Sequence, residues 1–359
     1  MSDAGILRFD TAELTATVPA GAAKAEGDER LRAEIGAHAG AKVTAGPVIR
    51  SVVLVVGAGL LSYFFLVILQ MTITLFTHAR TNGALLLPTA IVMVLPLLVA
   101  RIRALTAVRR DADRRWYLLS RFAQRNGLGY RLREEDPDEP AQLFGIGSAR
   151  IATDIVTGSA ARPFAAANYD YETWAARTRM PRSAAYASFT VRNPLPAFAI
   201  LARDAPGGMP SWQPRADQQE IAEIDARVRV FCAPPDEPAV RALLTTETLA
   251  DLVAVAGDVD VESTGSKIFF IARDRVSVED PAFWEWIEDL AALLDRRLDA
   301  QPVGPAEPAP SDPAPADPAR TARRRALFRP SGAGRSFVIG CLLPLVFGVV
   351  VVLIGMSMG

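Results

Sequence analysis

The sequence predicts an α+β fold class: three transmembrane helices plus a cytosolic domain with a mainly antiparallel sheet and flanking helices. Three observations predict it. Three long apolar blocks lack acidic residues. Arginines cluster at both ends of the region between the second block and the third. Within that region the apolar period passes from helical to two and back to helical.

The chain has 359 residues, half of them apolar, with a formal net charge of −1. That balance points to no polyanionic partner, and no nucleic acid is expected. Residues 1–46 carry little apolar pattern, beyond a short helical candidate at GDERLRAEIGAHAG. They are expected to be a disordered cytosolic segment, because too little apolar surface is available to offset chain entropy. No signal peptide is visible there.

The apolar blocks follow. Val52–Phe76, Ala84–Ala100 and Phe337–Met356 carry no acid. A helix rises ~1.5 Å per residue and the hydrocarbon core is ~30 Å thick, so ~20 residues are needed to span it. Spans are therefore expected at 50–76, 84–102 and 336–357. Pro88 and Pro96 fall roughly on one side of the second and are candidates to kink it. No acid or base lies in any block, so no proton relay or ion pathway is visible.

Arginine placement orients the chain. Arg101, Arg103, Arg109, Arg110, Arg114 and Arg115 follow the second block, and Arg320, Arg323, Arg324, Arg325, Arg329 and Arg335 precede the third. The loop 77–83 holds only Arg80. The positive-inside rule places the N-terminus and the domain in the cytoplasm of a multi-pass cell-membrane protein. The lipid bilayer is the expected partner, with other membrane or cytosolic proteins as further candidates.

The cytosolic domain is bounded at 103–300. Trp116, Leu119, Phe122 and Ala123 recur at helical spacing, and Asn126-Gly127 stops that helix. Strands are expected at PFAAANYDYET, AYASFTVR, PAFAILAR and EIDARVRVF, from their alternation. A helix capped by Asp236 comes next, then a hairpin of VDVES and KIFFIAR turning at Ser263–Ser266. Asp280-Pro281 opens a last helix with Phe283, Ile287, Leu290, Leu294 and Leu298 on one stripe. Residues 301–319 are a Pro-rich linker of extended character, and 320–335 form a basic juxtamembrane segment.

Chemistry is sparse. The histidines, His38 and His78, lie outside the domain, which removes Ser-His-Asp and Cys-His mechanisms and histidine-containing zinc sites from it. Cys232 is the domain's one cysteine and Cys341 lies in the third block, so the domain forms no internal disulfide. Gly265-Ser266-Lys267 fails the phosphate-loop pattern, which needs glycine directly before the lysine, and it joins two strands. Gly145-Ile146-Gly147 is half of a dinucleotide fingerprint.

Asp258, Asp260 and Glu262 share a strand face and have the spacing of a Mg²⁺ or Ca²⁺ site; a solvated face is the favoured reading. Cys232 is read as a structural thiol. Tyr169, Tyr171, Trp174 and Tyr186 form either an aromatic binding surface or cross-strand core packing. Trp284 and Trp286 belong to the last helix and pack the core or meet the membrane interface. No catalytic, cofactor-binding or metal-binding residue is assigned, and no cofactor is expected.

The stretches FAQRNGLGY at 122–130, RPFAAANYDYET at 162–173, LPAFAIL at 195–201, and RVFCAPP followed by LLTTETLADL resemble a group of uncharacterised bacterial membrane proteins, common in actinobacteria. In that group a cytosolic domain of unknown function follows a pair of spans. The resemblance covers roughly residues 116–298 and implies no activity, cofactor or site. The expected function is a membrane-anchored, non-enzymatic interaction or sensory module. The alternative is a membrane-associated hydrolase or lipid-modifying enzyme working through Asp258, Asp260 or Glu262.

Overall fold

The computed structural model describes residues 7–19, 21–26, 103, 107, 110–158, 162–175, 178–203, 214–221, 227–298 and 327. The chain divides into two compact units, Met1–Ala16 with Leu119–Gly359, and Thr17–Leu118. In the second unit the described residues 22–26 and 110–118 are helical.

The first unit is built on one sheet. Its strands are β1 (Gly129–Glu135), β2 (Ser148–Gly158), β3 (Phe164–Ala175), β4 (Thr178–Thr190), β5 (Phe198–Ala202), β6 (Gln219–Glu220), β7 (Val228–Cys232), β8 (Asp260–Ser263) and β9 (Lys267–Ala272). They lie in the order β1-β2-β3-β4-β9-β8-β5-β7-β6. Every neighbouring pair is antiparallel. The helices are α1 (residues 119–125), α2 (Glu237–Leu243), α3 (Thr246–Ala256) and α4 (Pro281–Leu293), the last continued by a π turn over Leu294–Leu298.

This corrects the expected fold class. Among the described residues the architecture is a nine-stranded antiparallel sheet with few helices, and no three-span part is seen. Among the described residues no helix is long and apolar enough to cross a membrane. The described helices fall short in length or in apolar character. Helix α4 has 13 residues, ~20 Å at ~1.5 Å per residue, against a ~30 Å hydrocarbon core. The helical run 110–125 opens on Arg110, Asp111, Asp113, Arg114 and Arg115. The segments 50–76, 84–102 and 336–357, the linker 301–319 and all of the basic segment 320–335 except Leu327 lie outside the described residues.

Alternation along the strands sorts the side chains into two faces. Ala187 pairs with Phe270 and Phe189 with Ile268, and this face packs under the helices. Phe270 meets Trp286 edge-on at 6.4 Å between centroids, and Phe122 of α1 meets Trp284 at 4.4 Å. Trp284 and Trp286 are buried, and their indole N–H groups donate to the carbonyls of Val278 and Val255. They belong to the core. On the other face Tyr169, Tyr171, Tyr186, Phe269 and Ile271 are capped by Ala141, Leu143 and Phe144 from a short 3-10 turn, Gln142–Gly145.

Several local signals act as their chemistry requires. Gly127 takes a left-handed φ of 64° after α1, and Asn126 returns its amide to the Phe122 carbonyl at 2.9 Å. Asp280 caps α4 by accepting from the Ala282 N–H at 2.9 Å. Asp236 does not cap a single long helix. It ends a 3-10 turn, and two helices follow, because Leu244 leaves helical space at ψ 59° and Thr245 starts α3 by accepting from the Thr248 N–H. Of the strand expected over 223–231, residues 223–226 lie outside the described residues, and Val228–Cys232 forms β7.

Part of the segment expected to be disordered, Phe9 and Asp10, is packed within the first unit, while residues 1–6, 20 and 27–46 lie outside the described residues. Within the first unit, the Phe9 ring lies 5.9 Å from Phe122, 5.7 Å from Phe164 and 5.2 Å from Trp284. Its N–H donates to Glu288 at 2.6 Å. Asp10 exchanges hydrogen bonds with Asn126 and pairs with Arg125 at 3.0 Å. One aromatic anchor with three ring partners replaces the periodic apolar stripe that the segment lacks. Replacing Phe9 by alanine is expected to cost ~2 kcal/mol, the value of burying most of an aromatic side chain. Urea unfolding measures it, and faster trypsin cleavage after Arg8 reports release of the segment.

Candidate functional site

The carboxylates of β8 are the first candidates. The favoured reading of a solvated face is corrected: Asp260 is 0 % exposed and Glu262 1 % exposed. The cause is position in the sheet. Strand β8 lies between β9 and β5, so neither of its edges is open and both faces are covered. Asp258 precedes the strand. Asp260 receives Arg273 bidentately, Nε to Oδ2 and Nη2 to Oδ1, both at 2.8 Å. The Ala202 N–H donates to Oδ1 at 3.0 Å, and Arg273 also donates to the Ala202 carbonyl at 2.8 Å. Burial pushes the Asp260 carboxyl up while Arg273 and the Ala202 N–H pull it down. The fork geometry is that of an ion pair closed on itself. Both carboxylate oxygens are turned to the Arg273 guanidinium in a fully buried site.

Glu262 has a different environment. Both its oxygens accept from the Gln142 N–H, at 3.1 and 2.9 Å, and Arg215 stands 3.8 Å away. Burial pushes its pKa to about 7, against the lowering effects of the Gln142 N–H and Arg215. This carboxyl is therefore part-protonated at neutral pH, a buried acid with one backbone donor for two oxygens.

The aromatic group divides. Tyr169 and Tyr171 stack at 5.4 Å, and Phe144 sits 4.9 Å from Tyr169 and 5.0 Å from Tyr186. All three tyrosines are buried, and burial pushes all three phenols up. They are core packing. The Tyr169 hydroxyl has no hydrogen-bond partner among the described residues. Trp174 stands apart from them at 65 % exposed. Cys232 is buried, and burial with Glu237 and Asp236 beside it pushes its thiol up, away from the reactive thiolate. Gly265 turns the β8–β9 hairpin at φ 94°. Gly147 belongs to a close approach: a Cβ there would stand 2.3 Å from the Glu172 carbonyl oxygen, where β2 starts against β3.

A hollow of about 230 Å³ opens on the tyrosine-bearing face. Tyr186, Ser188, Ala165 and Ile155 line its floor, and Arg131, Glu134, Asp138, Glu139 and Lys267 its rim. The rim cations are paired, Lys267 with Glu139 at 2.7 Å and Arg131 with Glu134 at 2.9 Å. Sequence reasoning missed this hollow because its lining comes from β1, β2, β3, β4, β9 and the 137–139 loop, each contributing residues that look ordinary alone. The carboxyls that burial raises, Asp260 and Glu262, do not line it.

No family model matches the chain, and no curated protein matches it. A crystal structure of the mycobacterial trehalose monomycolate transport factor A, TtfA, is similar over 49% of this chain and 92% of its own, at 14% identity and a TM-score of 0.34. A likeness at that level fixes neither fold nor function.

Proposed function

We propose that the sheet domain is a non-enzymatic interaction or sensory module held at a membrane, on its cytoplasmic side. The observation that carries the reading is the separation of acid chemistry from open space. The enzyme alternative needs carboxyls of raised pKa converging on a pocket. Asp260 is engaged by Arg273 and Ala202, Glu262 by Gln142, and the 230 Å³ hollow is lined by neither. The rim arginine and lysine are taken up by acids of the same rim. Arginine-rich flanks around the domain and the resemblance of residues 116–298 to actinobacterial membrane proteins support the membrane placement.

Cell fractionation of the full chain tests the placement. It is expected with the membranes; recovery in the soluble fraction would overturn it. A panel of ester, phosphoester and phospholipid substrates tests the absence of catalysis. Turnover that disappears in Glu262→Gln or Glu139→Gln would install the enzyme reading instead.

A further inference from the structure

We infer that the hollow on the tyrosine-bearing face binds a small aliphatic primary amine, held as its ammonium. The inference rests on the sensory reading and deepens it by naming the class of molecule sensed. Every residue that lines the hollow is among the described ones.

The floor carries two buried hydroxyls that the fold does not satisfy. Tyr186 and Ser188 are each 3 % exposed. The Tyr186 ring packs edge-on against Phe144 at 5.0 Å, and among the described residues its hydroxyl has no hydrogen-bond partner. The Ser188 hydroxyl reaches the Ala165 carbonyl only at 3.5 Å, beyond the ~2.5–3.0 Å usual for such a bond. With its proton turned toward Ala165, Ser188 has its lone pairs left for an incoming donor. Burial, with Glu139 and Glu134 close by, pushes the Tyr186 phenol up, so it stays neutral and its oxygen accepts as well. The two residues stand two positions apart on β4, ~7 Å along one face, so a short amine with a polar group at each end spans them.

Charge sets the sign of the ligand. Three carboxylates on the rim, Glu134, Asp138 and Glu139, face two cations, Arg131 and Lys267. Glu139 holds Lys267 at 2.7 Å and Glu134 holds Arg131 at 2.9 Å, so the positive charge is neutralised within the rim. Asp138 has no ion pair among the described residues and supplies the excess negative charge. A primary ammonium brings three N–H donors and one positive charge to these acceptors. A quaternary ammonium needs an open aromatic face, and the lining rings of Tyr186 and Phe164 are buried. Among the described residues no group of acids, histidines or cysteines is placed to hold a metal ion. The volume, about 230 Å³, is below the ~300–1,000 Å³ of sites for drug-sized ligands and suits a short chain.

The test is calorimetric titration of the full chain in neutral detergent at pH 7. The probes are putrescine, choline, succinate and glucose. Putrescine is expected to bind saturably at one per chain, and the other three not to bind. Asp138→Asn, at the exposed rim, and Tyr186→Phe, which removes only the hydroxyl, should each weaken putrescine about tenfold. Putrescine binding that both variants leave unchanged would overturn the inference, because it would place the amine elsewhere. Choline bound as tightly as putrescine would overturn the role of the hydroxyl floor, and succinate or glucose bound in its place would overturn the ligand class. Heat from none of the four would overturn the inference and leave the membrane-held module standing, since fractionation tests that separately. Putrescine bound and then consumed would support the site and overturn the non-enzymatic reading.

Discussion

Replacing Arg273 by alanine is expected to destabilise the domain by ~3–5 kcal/mol, because it strands the Asp260 carboxylate in a fully buried site. The guanidinium supplies both charge-assisted bonds to Asp260 and also satisfies the Ala202 carbonyl, so its loss leaves three acceptor positions short of a donor. What remains is the Ala202 N–H, one neutral donor for a buried charge. Burial then holds the carboxyl protonated above its ordinary range, and unfolding in that range releases the proton. Removing both partners has a different outcome. Asp260→Leu with Arg273→Met leaves no buried charge, and such exchanges are often neutral or stabilising by ~1–4 kcal/mol. Urea unfolding of the single and double variants, combined as a cycle, separates the two effects. A single-variant loss under ~1 kcal/mol, the range of surface ion pairs, would mean that the pair is solvated and that β8 is not an inner strand.

That pair also shows how far the sequence could be read. The β8–β9 hairpin is visible in VDVES and KIFFIAR, and its turn follows from Gly265. Given the register Asp260 opposite Ile271, Arg273 falls two residues further on the same face, so the ion pair is one step of strand arithmetic beyond the hairpin. What the pattern does not carry is the place of β8 in the sheet. Alternating Val259, Asp260, Val261 and Glu262 looks half-solvated, yet the long-range pairing β5 with β8 buries both carboxylates. β2 was missed for a local reason: its register breaks between Thr153 and Val156, with Asp154 at φ 55°, so strict alternation fails. β1 was missed because GYRLREE offers a single large aliphatic side chain, Leu132. The docked N-terminus hid because one phenylalanine carries the contact. Strand β3 was legible from alternation, the second half of β4 from AYASFTVR, β5 as a continuous apolar run, and helix α4 from its apolar stripe.

The three-span expectation failed on a separate ground. It was drawn from three acid-free apolar blocks and the arginines that flank them, whereas the helices among the described residues are short, charged at one end or amphipathic. The antiparallel sheet, which the strand alternation did foreshadow, supplies the architecture.

Replacing Glu262 by glutamine is expected to change how stability depends on pH. The carboxyl has a folded pKa of about 7, raised first by burial, against an ordinary value of 4.5. The folded state therefore holds the proton more tightly than the unfolded chain does. The stabilising effect of that proton is complete below pH 4.5, is lost as pH rises toward 7, and is gone above it. A shift of this size amounts to about 3 kcal/mol across that interval, at roughly 1.4 kcal/mol per pKa unit. Glutamine has no proton to lose, and its carbonyl oxygen can still accept the Gln142 N–H. The difference in unfolding free energy between Glu262→Gln and the parent chain isolates this one group, since Asp260 and the surface acids titrate alike in both. It should lie near zero in the acid limb and rise by about 3 kcal/mol in favour of the variant on the neutral side. Urea unfolding at closely spaced pH values measures it. Parallel curves through the whole interval would mean that Glu262 ionises as an ordinary surface carboxyl, and the contact between Gln142 and β8 would then have to be open to water.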